Sequence, residues 1–144
     1  AYSNTDGFKY HSRIVMMSTA FEFLLDGFRG KDEFAKKIGD LTTRRHPSRK
    51  RGASWRFVFV KNKRQRVKKS FQEWWAYEFY ELRNEIVHGH RVSDRQMRSR
   101  RGEEMFLISI QVFAECLKRI LEQAKCYRYD VGDVFEWEGV LKML

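Results

Sequence analysis

Apolar positions along the chain recur at helical spacing in four stretches. Ile14, Met17, Phe21, Leu24, Leu25 and Phe28 keep to one face, which predicts a first helix over about Tyr10–Phe28, stopped by Gly27 and Gly30. A shorter helix, about Lys31–Leu41, turns Phe34, Ile38 and Leu41 inward. Phe71, Trp75, Phe79, Leu82 and Ile86 form the core stripe of a third helix. Ala76, Tyr80, Arg83 and Val87 run along the edge of that stripe, and Glu78, Glu81 and Glu85 face water. Ser70 and Glu73 have the spacing of a capping box, which starts this helix at Ser70. Gly89 suits the position just past a helix end, which stops it near His88 and bounds it at about 70–88. The longest helix, about Glu103–Lys125, is apolar at most positions from Met105 to Leu121, with one polar face of Gln111, Glu115, Lys118 and Glu122. It is expected at the centre of a bundle.

The remaining stretches read differently. "TTRRHPSRKRGAS" (42–54) is a loop, because Pro47 and Gly52 break any helix. "WRFVFV" (55–60) alternates only in part and fits either a short strand or an extended segment laid over the core. "KNKRQRVKKS" leads into the third helix. The tail "YRYDVGDVFEWEGVLKML" fits a short helix or a strand. The expected fold is therefore all-α, a bundle of four to five helices in one domain (1–144), with a basic insertion at about 42–69.

Composition narrows the class. With 144 residues, 42% of them apolar, and a single proline, the chain can bury one core. No apolar run is long enough to span a bilayer, so no membrane association is expected. The polar start "AYSNTDGFKY" carries no signal peptide, and the absent initiating Met fits a processed chain or a domain of a larger parent protein. Cys116 and Cys126 lack metal-ligand spacing; Cys116 reads as a small buried hydrophobe, and a reducing cytoplasm is the simplest compartment. His88-x-His90 with Asp94 lacks a further convincing ligand, so neither a metal nor a cofactor is expected.

Charge placement says more. Residues 44–69 hold twelve Lys/Arg and no acid, and 91–101 hold five Arg against Asp94 alone, so these segments carry +16 of a chain whose net charge is +10. The rest is mildly acidic. That asymmetry points to a polyanion, RNA first. The candidate contacts are Arg44, Arg45, Arg49, Lys50, Arg51, Lys61, Lys63, Arg64, Arg91 and Arg95. Trp74 and Tyr77, off the core stripe, could stack on bases or line a dimer interface.

Between the two basic segments lies "ELRNEIVHGH" (81–90). Five residues of regular helix separate the side chains of Arg83 and His88 by roughly 140°. They can address one phosphate only where the helix ends, and Gly89 supplies that end. An Arg and a His on one phosphodiester suffice to cleave RNA without a metal, because the ribose 2′-OH is the nucleophile. His88 would serve as general base or acid, Arg83 would hold the phosphate and the charge that builds on it, and Asn84 would orient either. His90 fits a second catalytic or substrate-contacting group, or a plain loop histidine.

Arg83-Asn84-x-x-x-His88 followed by Gly89 resembles the signature of the HEPN domain family. "STAFEFLL" (18–25) resembles the first helix of its Apea-like branch, and the order of elements agrees over about 10–125. The resemblance implies an all-α bundle that forms a homodimer and brings two R-x4-H motifs into one cleft. It implies a metal-independent endoribonuclease of the toxin–antitoxin, defence or RNA-processing kind, with Arg83, Asn84 and His88 as the active-site set and an antitoxin as a partner to look for. Glu22 carries over more weakly, as support for Arg83 or as a structural ion pair. The alternative is a non-catalytic RNA-binding or protein-assembly module.

Overall fold

The structure, a computed structural model, describes residues 4–43 and 53–144. It is mostly helical: α1 (Asn4–Leu24), α2 (Gly30–Thr43), α3 (Phe71–Val87), α4 (Met105–Gln123) and α5 (Val131–Met143), with two strands, β1 (Ser54–Val60) and β2 (Lys63–Lys69), between α2 and α3. The five helices agree with the expected four to five, while the all-α class is corrected to a mostly helical fold with a two-stranded sheet, at the stretch where a short strand was one of the expected forms. The strands pair antiparallel, from Ser54 opposite Lys69 to Val60 opposite Lys63. Lys61 and Asn62 make the turn, both with positive φ (48° and 62°). That is the geometry of a two-residue hairpin. So 63–69 is a strand rather than a lead-in to α3, and 54–60 is its partner.

Helix α1 starts earlier and ends earlier than its apolar spacing implied. It stops at Leu24, and Lys37 from α2 donates to the carbonyl of the capping residue Leu25 (2.9 Å), which a helix end leaves open, and to that of Gly27 in the following turn (2.6 Å). Phe28 lies beyond the helix yet packs 4.6 Å from the ring of Phe34. Phe21 is the hub of the core: its ring centroid lies 5.3 Å from Phe34 and from Phe113, and 6.0 Å from Phe79, joining α1, α2, α3 and α4. Full burial of such a ring contributes about 1.5–3 kcal/mol. Helices α2 and α3 approach closely at Gly39, where an added Cβ would lie 2.6 Å from the Glu73 side chain.

Two further readings change. On α4, Glu115 and Arg119 are buried (4% exposed each), whereas Leu107, Ile110, Leu117 and Leu121 are exposed. The polar face thus turns partly inward, because Glu115 finds Arg119 one turn on at 3.0 Å and the hydroxyl of Tyr129 at 2.6 Å. The tail is helical: Asp130 and Asp133 form a reciprocal capping box at the start of α5. Burial pushes the Cys116 thiol far up, as for an inert core cysteine.

Candidate nucleic-acid site

Helix α3 carries the motif, and its ends form as their residues dictate. Ser70 accepts from the backbone of Glu73 at 3.2 Å and Glu73 accepts from that of Ser70 at 2.7 Å. At the far end His88 is the capping residue, and Gly89 turns left-handed at φ 72°. The Gly89 N–H then reaches the Ile86 carbonyl (3.1 Å) and the His90 N–H that of Glu85 (2.9 Å). These two bonds make a Schellman turn, which reverses the chain immediately after the imidazole.

Among the described residues no hydrogen bond joins Arg83 to His88 within one chain. Arg83 is half-buried and points back along α3: its Nη1 donates to Asn84 Oδ1 at 3.0 Å, and its guanidinium lies 5.7 Å from the Tyr80 ring. His88 is exposed, and among the described residues its imidazole has no hydrogen-bond partner; its ring lies 6.0 Å from that of His90. His90 is held by Glu85, at 2.8 Å. Glu22 is half-buried on α1, and among the described residues no ion pair joins it to Arg83. No group of three or more His, Cys, Asp or Glu is placed to hold a metal ion among the described residues.

A groove of about 1350 Å³ runs beside the motif, bordered by Lys31, Asn84, Glu85, Arg95, Arg98 and Arg100. Asn84 and Glu85 reach it, whereas Arg83 and His88 do not line it. Its acids are matched: Glu81 pairs with Lys31 at 2.6 Å, and Glu78 pairs with Arg56 and, at 3.6 Å, with Arg100. Burial alone would lower the Lys31 ammonium, but its side-chain hydrogen bonds to Glu81 and Tyr77 outweigh that and raise it. Segment 91–101 is pinned rather than loose. Ser99 donates to the Met143 carbonyl at 2.9 Å and Arg101 to that of Lys142 at 2.6 Å.

A smaller depression under the hairpin is lined by Arg56, Phe57 and Phe59 and shares Lys31, Glu78 and Arg100 with the groove, so the two adjoin. Of the basic residues named from sequence, Lys61 sits in the hairpin turn, Lys63 and Arg64 on β2, and Arg91 and Arg95 after α3, all exposed. Arg44, Arg45, Arg49, Lys50 and Arg51 lie outside the described residues. Trp74 and Tyr77 are buried (2% and 7% exposed) beneath the hairpin, with Arg56 4.5 Å from the Trp74 ring, so neither is open to a base or a second copy. Sequence reasoning passed over Lys31 and counted Arg98 and Arg100 only within the basic segment 91–101; all three border the groove. It also passed over Trp55, Phe57 and Phe59; the partial alternation of "WRFVFV" was the signal for these three.

No helix among the described residues is long and apolar enough to cross a membrane. Compared with protein-family models, curated proteins and solved structures, the chain matches none.

Proposed function

We propose that the protein is a metal-independent endoribonuclease that works as a homodimer, with Arg83 and His88 drawn from two motifs facing one cleft. The observation that carries this reading is the state of His88: an exposed imidazole without a described hydrogen-bond partner, held on a defined turn at the end of the helix whose Arg83 is fixed by Asn84. In the reaction, His88 takes the proton of the ribose 2′-OH as that oxygen attacks the adjacent phosphorus. Arg83 balances the charge on the phosphate oxygens, and the 5′-oxygen leaves with a proton, so the products end in a 2′,3′-cyclic phosphate and a 5′-hydroxyl.

No hydrogen bond joins Arg83 to His88 among the described residues of one chain, so the reading includes a second copy. The exposed apolar row of α4, Leu107, Ile110, Leu117 and Leu121, is the face we assign to that contact. Arg95 and the other groove cations would hold the phosphates on either side of the scissile bond. The setting we infer is an intracellular defence or RNA-processing role, with an antitoxin or a larger parent protein as the controlling partner.

The test is incubation of labelled mixed-sequence RNA with purified protein in EDTA, beside His88→Ala. Cleavage by the wild type to cyclic-phosphate ends, reduced roughly 10²–10⁴-fold in the variant, is the expected result. RNA left intact by both proteins, with a salt-dependent complex retained, would instead make the chain a binding module. The excess of basic residues over acids in the two cationic segments is what favours that second reading.

A further inference from the structure

The hairpin has two unlike faces. Its inner face docks on α3: the Ser54 carbonyl accepts from Trp74 Nε1 at 3.0 Å, Arg56 pairs with Glu78, and Val58 and Val67 are half-buried. Its outer face carries Trp55, Phe57 and Phe59, which are 54%, 58% and 73% exposed. Directly across the ladder stand Lys68, Arg66 and Arg64. Arg64 lies 3.9 Å from the Phe57 ring, and Arg66 and Lys68 lie 4.9 Å and 5.9 Å from the Trp55 ring. Residues 54–69 contain seven Lys/Arg and no acid. The inner face anchors the ribbon, so the outer rings are surplus to holding it on the body.

We propose that this outer face is a platform for an unpaired nucleic-acid strand, with bases stacked on Trp55, Phe57 and Phe59 and phosphates held by Arg64, Arg66 and Lys68. Every base offers a π-face, so such a surface tolerates sequence, and exposed cation–π contacts are weak enough for a base to displace. Alternate residues of a strand are roughly 6.8 Å apart, about twice the 3.4 Å rise of a stacked strand. An extended strand with splayed bases matches that spacing. A duplex, whose base faces are covered by stacking, does not. An acidic peptide would use the cations and leave the rings bare. The rings run from the end anchored on Trp74 to the turn at Lys61–Asn62, rather than clustering at a tip as a membrane-inserting loop requires. The depression that Phe57 and Phe59 help to line meets, at Lys31 and Arg100, the groove that Asn84 borders. Only this last point, the destination of the strand, rests on the nuclease reading.

The test is fluorescence anisotropy of a labelled oligo(U) with the His88→Ala protein, so that the strand survives and binding is read apart from cleavage. Phe57→Leu/Phe59→Leu keeps apolar bulk and removes π-faces; affinity should fall at least about tenfold with the salt slope unchanged. Arg64→Gln/Arg66→Gln should instead reduce that slope by roughly 1.4. A second readout does not depend on how the leucine variant folds. Trp74, Trp75 and Trp137 are buried, so oligo(U) quenching of tryptophan emission should come from Trp55 and vanish in Trp55→Phe. Wild-type affinity in a folded leucine variant, equal binding of duplex RNA, or a response to phosphatidylserine vesicles with none to oligo(U) would overturn the proposal. Unchanged affinity beside intact wild-type cleavage would overturn it alone, leaving the nuclease reading in place.

Discussion

Asn84 accepts a hydrogen bond from the guanidinium of its neighbour Arg83, Oδ1 to Nη1, at 3.0 Å. The bond fixes the cation of the motif against α3 and leaves Asn84 itself on the edge of the groove. A phosphate-binding Arg gains from being held before substrate arrives, because less side-chain freedom is lost in the complex.

Asn84→Ala should therefore lower kcat/KM for RNA cleavage roughly ten- to hundredfold, the scale of a hydrogen bond to a charged group. The thermal midpoint should stay at the wild-type value, because the side chain bonds on a half-buried helix edge. A variant that cleaves normally would make the Arg83–Asn84 bond incidental.

The buried ion pair on α4 makes a stability prediction. Glu115 is 4% exposed, bonded to Arg119 and to the hydroxyl of Tyr129, whose ring lies 3.6 Å from the Arg119 guanidinium. Removing the cation leaves a buried carboxylate short of its counter-charge, which costs about 3–5 kcal/mol. Arg119→Met should lower Tm by roughly 10 °C. The double change Glu115→Leu/Arg119→Met should recover most of that loss, as measured by calorimetry.

That pair also marks where sequence reasoning fails. Helix α3 was legible because every signal agreed: the Ser70–Glu73 box, the apolar stripe and the Gly89 stop. The polar spacing on α4 predicted a wet face, but Glu115 is satisfied by Tyr129, fourteen residues along the chain on the segment leading into α5. Periodicity cannot report a partner that only tertiary structure supplies. The hairpin was hidden for a related reason. Its largest apolar residues point outward while Arg56 points in, and Lys61–Asn62 lacks the usual Asn-Gly turn pair. Of the candidate site, the motif and its helix end were legible; the groove was not, because Lys31 and Arg100 reach it from segments far apart in sequence.

Acid should probe the start of α5. Burial alone would raise the Asp133 carboxyl, but donation from Lys118, from Tyr127 and from the Asp130 backbone outweighs it and holds the group at about 2, below its ordinary 3.8. The folded protein thus binds this proton less readily than the unfolded chain. The stabilisation is complete above the ordinary value and is lost as pH falls through about 2. Urea midpoints measured across that interval should drop more steeply for the wild type than for Asp133→Asn. Parallel curves would assign the acid sensitivity to other carboxylates.

Dimeric catalysis makes the most discriminating prediction, because it concerns two inactive proteins. Suppose the shared cleft holds two Arg–His pairs, each taking Arg83 from one copy and His88 from the other. Arg83→Ala and His88→Ala proteins, each inactive alone, then yield mixed dimers in which one pair is doubly damaged and the other is intact. With random exchange about half the dimers are mixed, so cleavage should return to roughly a quarter of the wild-type rate. If one chain supplied both groups, mixing would restore nothing. Adding Leu117→Glu to both proteins places a charge on the exposed apolar row of α4 and should abolish the recovery. The same change should shift the wild-type chain to the monomer mass in light scattering, tying the restored activity to that face of the helix.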